Sequence, residues 1–123
     1  MLLLDTSAII ELLNGTQVGS VIKQEIKDKE LVTTVVNKYE VMVGTRQDEK
    51  EKSEMFFEQI NNLPLTVKDI GHCVNLNKSL AARGNMINEA DIFIAGICQK
   101  LDATIVTLDR DFLKVPRLRV KLF

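Results

Sequence analysis

At 123 residues, 46% hydrophobic and 27% charged, the chain has the size and composition of one ordinary globular domain, residues 1–123, and not of a disordered segment. With 16 basic and 17 acidic residues the net charge is -1, which excludes a protein that coats nucleic acid by charge alone but not a local basic rim around an acidic site. No run approaches the ~18 apolar residues of a membrane span, and Leu2–Leu4 lacks the basic flank of a signal peptide, so a cytoplasmic location is expected.

Met1–Leu4 is an apolar run without alternation, the pattern of a strand buried on both faces. Asp5 ends it, Thr6 or Ser7 can cap a helix, and Ala8, Ile9, Leu12 and Leu13 form a helical stripe that stops at Asn14-Gly15. Val18, Val21, Ile22 and Ile26 recur at helical spacing, with Lys23, Gln24, Lys27 and Asp28 on the wet side. Leu31–Val36 is β-branched and continuous and predicts a second buried strand. Asn37 comes next, Tyr39–Val43 is helical, and Gly44 closes the turn. The charge-dense Gln47–Glu58 reads as an amphipathic helix with a solvated face.

Leu63–Val67 predicts a third strand, with Pro64 at its start or on an edge. Ile70, Cys73, Val74, Asn77, Leu80 and Ala81 mark a helix ending at Gly84, and a further helix lies between Asn88 and Leu101. Ala103–Leu108 predicts the fourth strand, Arg110–Lys114 a short helical turn, and Leu118–Leu122 the last strand. This order of strands and helices is α/β with a mostly parallel five-stranded sheet. In the last strand Arg117, Arg119 and Lys121 alternate with apolar residues, a pattern that guards a sheet edge or, alternatively, holds RNA. Cys73 and Cys98 fall on apolar helical stripes and read as buried reduced thiols. The single histidine, His72, reads as a surface residue, which leaves a Ser-His-Asp triad or a zinc site poorly supplied.

Four acids stand outside the charge-rich segments. Asp5 and Asp109 come after buried strands, while Glu40 and Asp91 come after Asn37 and Asn88 at capping-box spacing. Each has a structural reading, because a carboxylate is favourable at a helix N-terminus. Together they have another. Right-handed crossovers in a parallel sheet bring strand C-termini and helix N-termini to one edge, so the four would converge. Clustered carboxylates without a cation repel and raise a pKa, whereas an oxygen-only cluster suits Mg²⁺ or Mn²⁺. Such an ion activates water, and a pair about 4 Å apart clamps the attacking and leaving oxygens of a phosphodiester.

Asp5-Thr6-Ser7 after the first strand, Glu40-x-x-x-Gly44, Asp91-x-x-Ile94-Ala95, and Thr107-x-Asp109-x-Asp111-Phe112 resemble the motifs of PIN-domain ribonucleases, closest to the VapC-type toxins of toxin–antitoxin pairs. The resemblance runs from Met1 to the final strand. It implies a three-layer α/β/α sandwich, Mg²⁺-dependent endonuclease activity on RNA, a homodimer, and a cognate antitoxin seated in the active-site groove. By the same resemblance Asp5, Glu40, Asp91 and Asp109 would form the catalytic metal site, with Thr6 and Thr107 supporting it and Asp111 auxiliary. Gly96 departs from the alanine more usual after Ile-Ala, at a helix-propensity cost of ~1 kcal/mol.

Other α/β phosphoryl-transfer domains fit less well. A dehalogenase-type phosphatase needs an aspartate where Ser7 stands, and a receiver domain needs an acidic pair after strand one where only Asp5 is found. The alternative outside enzymes is a catalytically silent PIN-like module that binds RNA or a partner, although such a module has no need to keep four like charges together.

Overall fold

The computed structural model describes residues Met1–Phe123. Five strands, β1 (Leu2–Leu4), β2 (Leu31–Thr34), β3 (Asn61–Leu63), β4 (Thr104–Thr107) and β5 (Arg119–Leu122), form one sheet in the order β3-β2-β1-β4-β5. All four pairings are parallel. Six helices connect them: α1 (Thr6–Asn14), α2 (Gln17–Ile26), α3 (Val35–Gly44), α4 (Lys50–Glu58), α5 (Val67–Ala82) and α6 (Glu89–Lys100).

The absence of alternation in the central strands has the expected cause. Leu3 of β1 and Ile105 of β4 are register partners and pack toward α5 and α6, with Leu80, Ile92, Ile94 and Cys98. Leu4 and Val106, the next pair, pack toward α1, α2, α3 and α4, with Ile9, Ile22, Val41 and Phe57. Successive side chains point to opposite faces of a strand, so a strand covered on both faces is apolar throughout. The result is the expected α/β/α sandwich. Because the chain winds from β1 outward to β3 and then returns to the other side of β1 for β4, the sheet has its switch point between β1 and β4. Ligands of open parallel sheets bind at the strand C-termini beside such a point.

Three boundaries differ from expectation. The second strand ends at Thr34, not Val36, because the Thr34 hydroxyl accepts from the Asn37 N–H at 3.1 Å and starts α3 there. The third strand is Asn61–Leu63, not Leu63–Val67. Thr66 caps α5 in a reciprocal box with Asp69, and Val67, at 92% exposure, is the first helical residue. The charged segment from Gln47 divides into a 3-10 turn (Gln47–Glu49) and α4. On α2 the buried face is Gly19, Ile22 and Ile26, while Val18 and Val21 are exposed. A Cβ at Gly19 would collide with the Glu11 carbonyl of α1, so glycine permits that close contact.

Other expectations hold. Gly15 ends α1 in the left-handed conformation, and both cysteines are buried and unpaired. His72 is exposed and sits 2.7 Å from the Gln99 side chain. In the edge strand β5, Arg119 pairs with Asp102 and Lys121 with Glu25, both at 2.7 Å, so these cations are taken up by acids of the same chain. No helix is long and apolar enough to cross a membrane.

Candidate functional site

Asp5 leaves the end of β1 with its backbone N–H still bonded to the Val106 carbonyl at 3.0 Å. It occupies the N-cap position of α1, yet its side chain makes no capping hydrogen bond. Its carboxylate instead turns toward β4 and α3. Oδ2 accepts from the hydroxyls of Thr107 at 2.7 Å and Ser7 at 3.1 Å, and Oδ1 accepts from the Asn37 amide at 3.1 Å. Asp5 is 3% exposed. Burial pushes its pKa up, hydrogen bonds with Thr107 foremost oppose that, and nearby Glu40 adds to the rise.

The same hydroxyls stitch the end of β4 to this corner. Thr107 Oγ1 accepts from the Asp109 N–H at 3.0 Å, and Ser7 Oγ accepts from the Leu108 N–H at 2.9 Å. Asp109 caps the adjoining 3-10 turn, Arg110–Lys114, by accepting the Asp111 N–H on Oδ1 at 2.9 Å. The capping role foreseen for Asp109 is therefore real, and it engages only one oxygen.

Glu40 is not a capping residue. Since α3 begins at Val35, Glu40 lies in its second turn and accepts the Thr6 hydroxyl on Oε1 at 2.6 Å. Asp91 lies in the first turn of α6, where the Asn88 side chain accepts from the Ala90 N–H, and the Asp91 carboxylate takes no part in the cap. Burial raises the Asp91 pKa to about 7, and the negative charges of Asp5, Asp109, Glu40 and Asp111 add to it, in that order. Asp91 is thus within electrostatic reach of the other three acids. None is paired with a lysine or arginine, whereas Asp111 is held by Lys114 at 3.1 Å.

No three acids, thiols or imidazoles stand close enough to grip one ion as they are arranged. The donor set nevertheless fits a hard divalent cation: oxygen atoms only, one carboxylate buried and held by neutral donors, and no protein cation to balance the charge.

Sequence reasoning passed over Asn37 as a helix start. It is fully buried, with its carboxamide between Thr34, Asp5 and Thr6. The one signal was an asparagine three residues after a threonine, which places its amide inside the first helical turn.

A parallel sheet with a carboxylate-lined corner at its switch point defines a class of α/β domain that binds a ligand at the strand C-termini. The family model of the PIN domain matches residues 2–118, and the chain belongs to that family, whose members are generally nucleases. The chain is similar in structure to VapBC2 from Rickettsia felis bound to a promoter DNA fragment, with a TM-score of 0.82, 17% identity, and 99% of this chain and 98% of that one covered. It is also similar to VapBC-1 from nontypeable Haemophilus influenzae, with a TM-score of 0.80, 22% identity, and 98% and 96% covered. VapBC-5 from Mycobacterium tuberculosis, of the VapBC family of toxin–antitoxin systems, gives 0.72, 24% identity, and 98% and 95% covered. No curated protein matches the chain in sequence.

Proposed function

We propose that residues 1–123 act as a single nuclease domain, a Mg²⁺- or Mn²⁺-dependent endoribonuclease that serves as the toxin of a toxin–antitoxin pair. The observation that carries the reading is Asp5, a buried carboxylate at the end of β1 that accepts from Thr107, Ser7 and Asn37 and has no protein cation beside it. An acid kept only to cap α1 would accept from that helix's first N–H groups, and the Asp5 side chain makes no such bond. PIN family membership supports nuclease chemistry, and the toxin–antitoxin systems among its structural neighbours support an antitoxin partner.

Asp5, Glu40, Asp91 and Asp109 would hold the ion, which when bound supplies an activated water and neutralises phosphate charge. The remaining work belongs to the chain. Thr107 and Ser7 orient Asp5 from the β4 side. Thr6 holds Glu40, and Asp109, engaged on one oxygen by its own turn, keeps the other for the site.

The test is Asp5→Asn, which preserves shape and removes one charge. Losing a group that merely orients a metal ligand costs about 10- to 100-fold, so losing a ligand's charge should lower RNA cleavage in Mg²⁺ by more than about 100-fold with the circular dichroism spectrum unchanged. Cleavage by the variant at the wild-type rate would remove Asp5 from the site. Metal-independent RNA binding by a wild-type protein that never cleaves would make it a silent binding module.

A further inference from the structure

Asn37 is fully buried at the third position of α3, and its bond to the Asp5 carboxylate sets the direction of the others around it. Its backbone N–H donates to Thr34 Oγ1 at 3.1 Å, which leaves the Thr34 hydroxyl proton for Asn37 Oδ1 at 2.7 Å. The carboxamide oxygen therefore faces Thr34. On the other side Nδ2 donates to Asp5 Oδ1 at 3.1 Å, and an ionised carboxylate can only accept. The acceptor-only Asp5 carboxylate fixes the orientation of the amide, and the Thr34 hydroxyl proton satisfies the oxygen that then faces it.

The second Nδ2 hydrogen goes to Thr6 Oγ1 at 3.0 Å. Thr6 has one proton, and with a lone pair taken by Asn37 that proton goes to Glu40 Oε1. The 2.6 Å separation is in the range of a hydroxyl donating to a carboxylate. The result is a one-way chain of donors from Thr34 through Asn37 and Thr6 to Glu40, with a branch to Asp5.

We propose that Asn37 is a positioning residue: its carboxamide orients the Thr6 hydroxyl toward Glu40 while gripping Asp5, and so sets the two carboxylates relative to each other before an ion arrives. The proposal rests on the reading of Asp5 and Glu40 as metal-holding groups. It goes beyond that reading by placing the control of their geometry on a neutral residue of α3. Without the amide N–H the Thr6 hydroxyl is free to rotate, and Glu40 is free to move under the repulsion from Asp5. A structural asparagine would support the fold alone. A positioning one also governs how tightly the preformed acids take up a cation.

The experiment measures Mn²⁺ affinity by electron paramagnetic resonance for wild type, Asn37→Ala, Thr6→Val and the double variant, with melting temperatures taken in EDTA. Wild type is expected to bind Mn²⁺, and each single variant to bind it about 10-fold more weakly, at the lower end of what orienting partners contribute. The double variant should lose much less than the product of the two losses, because both break one chain. Thr6→Val, isosteric and half-buried, should melt near wild type in EDTA. Wild-type binding with either single variant unimpaired overturns the relay alone, as does a double variant that loses the full product. Wild type that fails to bind Mn²⁺ overturns both the relay and the metal reading. Should Asn37→Ala not fold, the carboxamide ¹H–¹⁵N signals of Asn37 in wild type carry the test. They should shift as Mg²⁺ is added, and signals that stay in place overturn the proposal.

Discussion

Asp91 shows how a single carboxyl reports on the state of the whole acidic corner. With its pKa raised from 3.8 to about 7, it binds a proton more tightly in the folded protein than in the unfolded chain. Between those values the native state holds more protons, so stability must fall as pH rises through the window, the reverse of an acid held in a salt bridge. In EDTA the melting temperature should therefore decline between about pH 4 and pH 7, and Asp91→Asn should flatten the decline. Asp69, whose pKa is lowered chiefly by the Thr66 backbone N–H, contributes stability that is lost only below that window, as pH falls through its folded pKa. A wild-type midpoint that rises over the same interval would show that the Asp91 carboxyl is not raised in the folded protein.

At the scale of elements, the contact between α5 and α6 explains the glycine in α6. A Cβ at Gly96 would lie 2.6 Å from Cys73 Sγ, and Cys73 is itself 2% exposed. Overpacking a buried contact costs about 1–3 kcal/mol. Alanine in place of glycine returns only ~1 kcal/mol of helix propensity. The packing cost is the larger, so Gly96→Ala should lower the melting temperature by a few degrees. Adding Cys73→Ala should recover part of the loss, because the two alanines then share the space. A more stable single variant would mean that the thiol moves aside at little cost.

Element boundaries also show what local sequence could and could not reveal. The strands β1 and β4 were legible because burial on both faces forces continuous apolar runs. The ends of β2 and β3 were not, because Thr34 and Thr66 are β-branched residues that suit a strand and equally accept a helical N–H. Only the hydrogen bond decides between the two. Asp5 posed the same ambiguity and resolved it the other way, with its capping position unused. Asn37 was illegible for a different reason. Its role depends on Asp5, 32 positions earlier in the chain, and no local period encodes that proximity.

For the whole molecule, metal and folding should be linked. An ion that binds only the assembled corner stabilises the native state in proportion to its occupancy, by about 2.7 kcal/mol at a hundredfold excess over its dissociation constant. Millimolar Mg²⁺ or Mn²⁺ should raise the melting midpoint and remove the pH-dependent decline expected in EDTA. An unchanged midpoint would favour four separate capping and surface acids over a shared site.

The hydrogen bond from Thr107 to Asp5 spans 102 positions, and the Ser7–Thr107 contact spans 100. During synthesis the first strand can pair with β2 early, but its other neighbour, β4, arrives only when most of the chain has been made. Contacts so distant in sequence carry a loop-closure penalty and form late. The corner around Asp5 is therefore among the last parts of the protein to exist, and a nascent chain that stops short of β4 lacks both Thr107 and Asp109. Such a chain has no complete acidic corner until β4 has emerged and docked against β1.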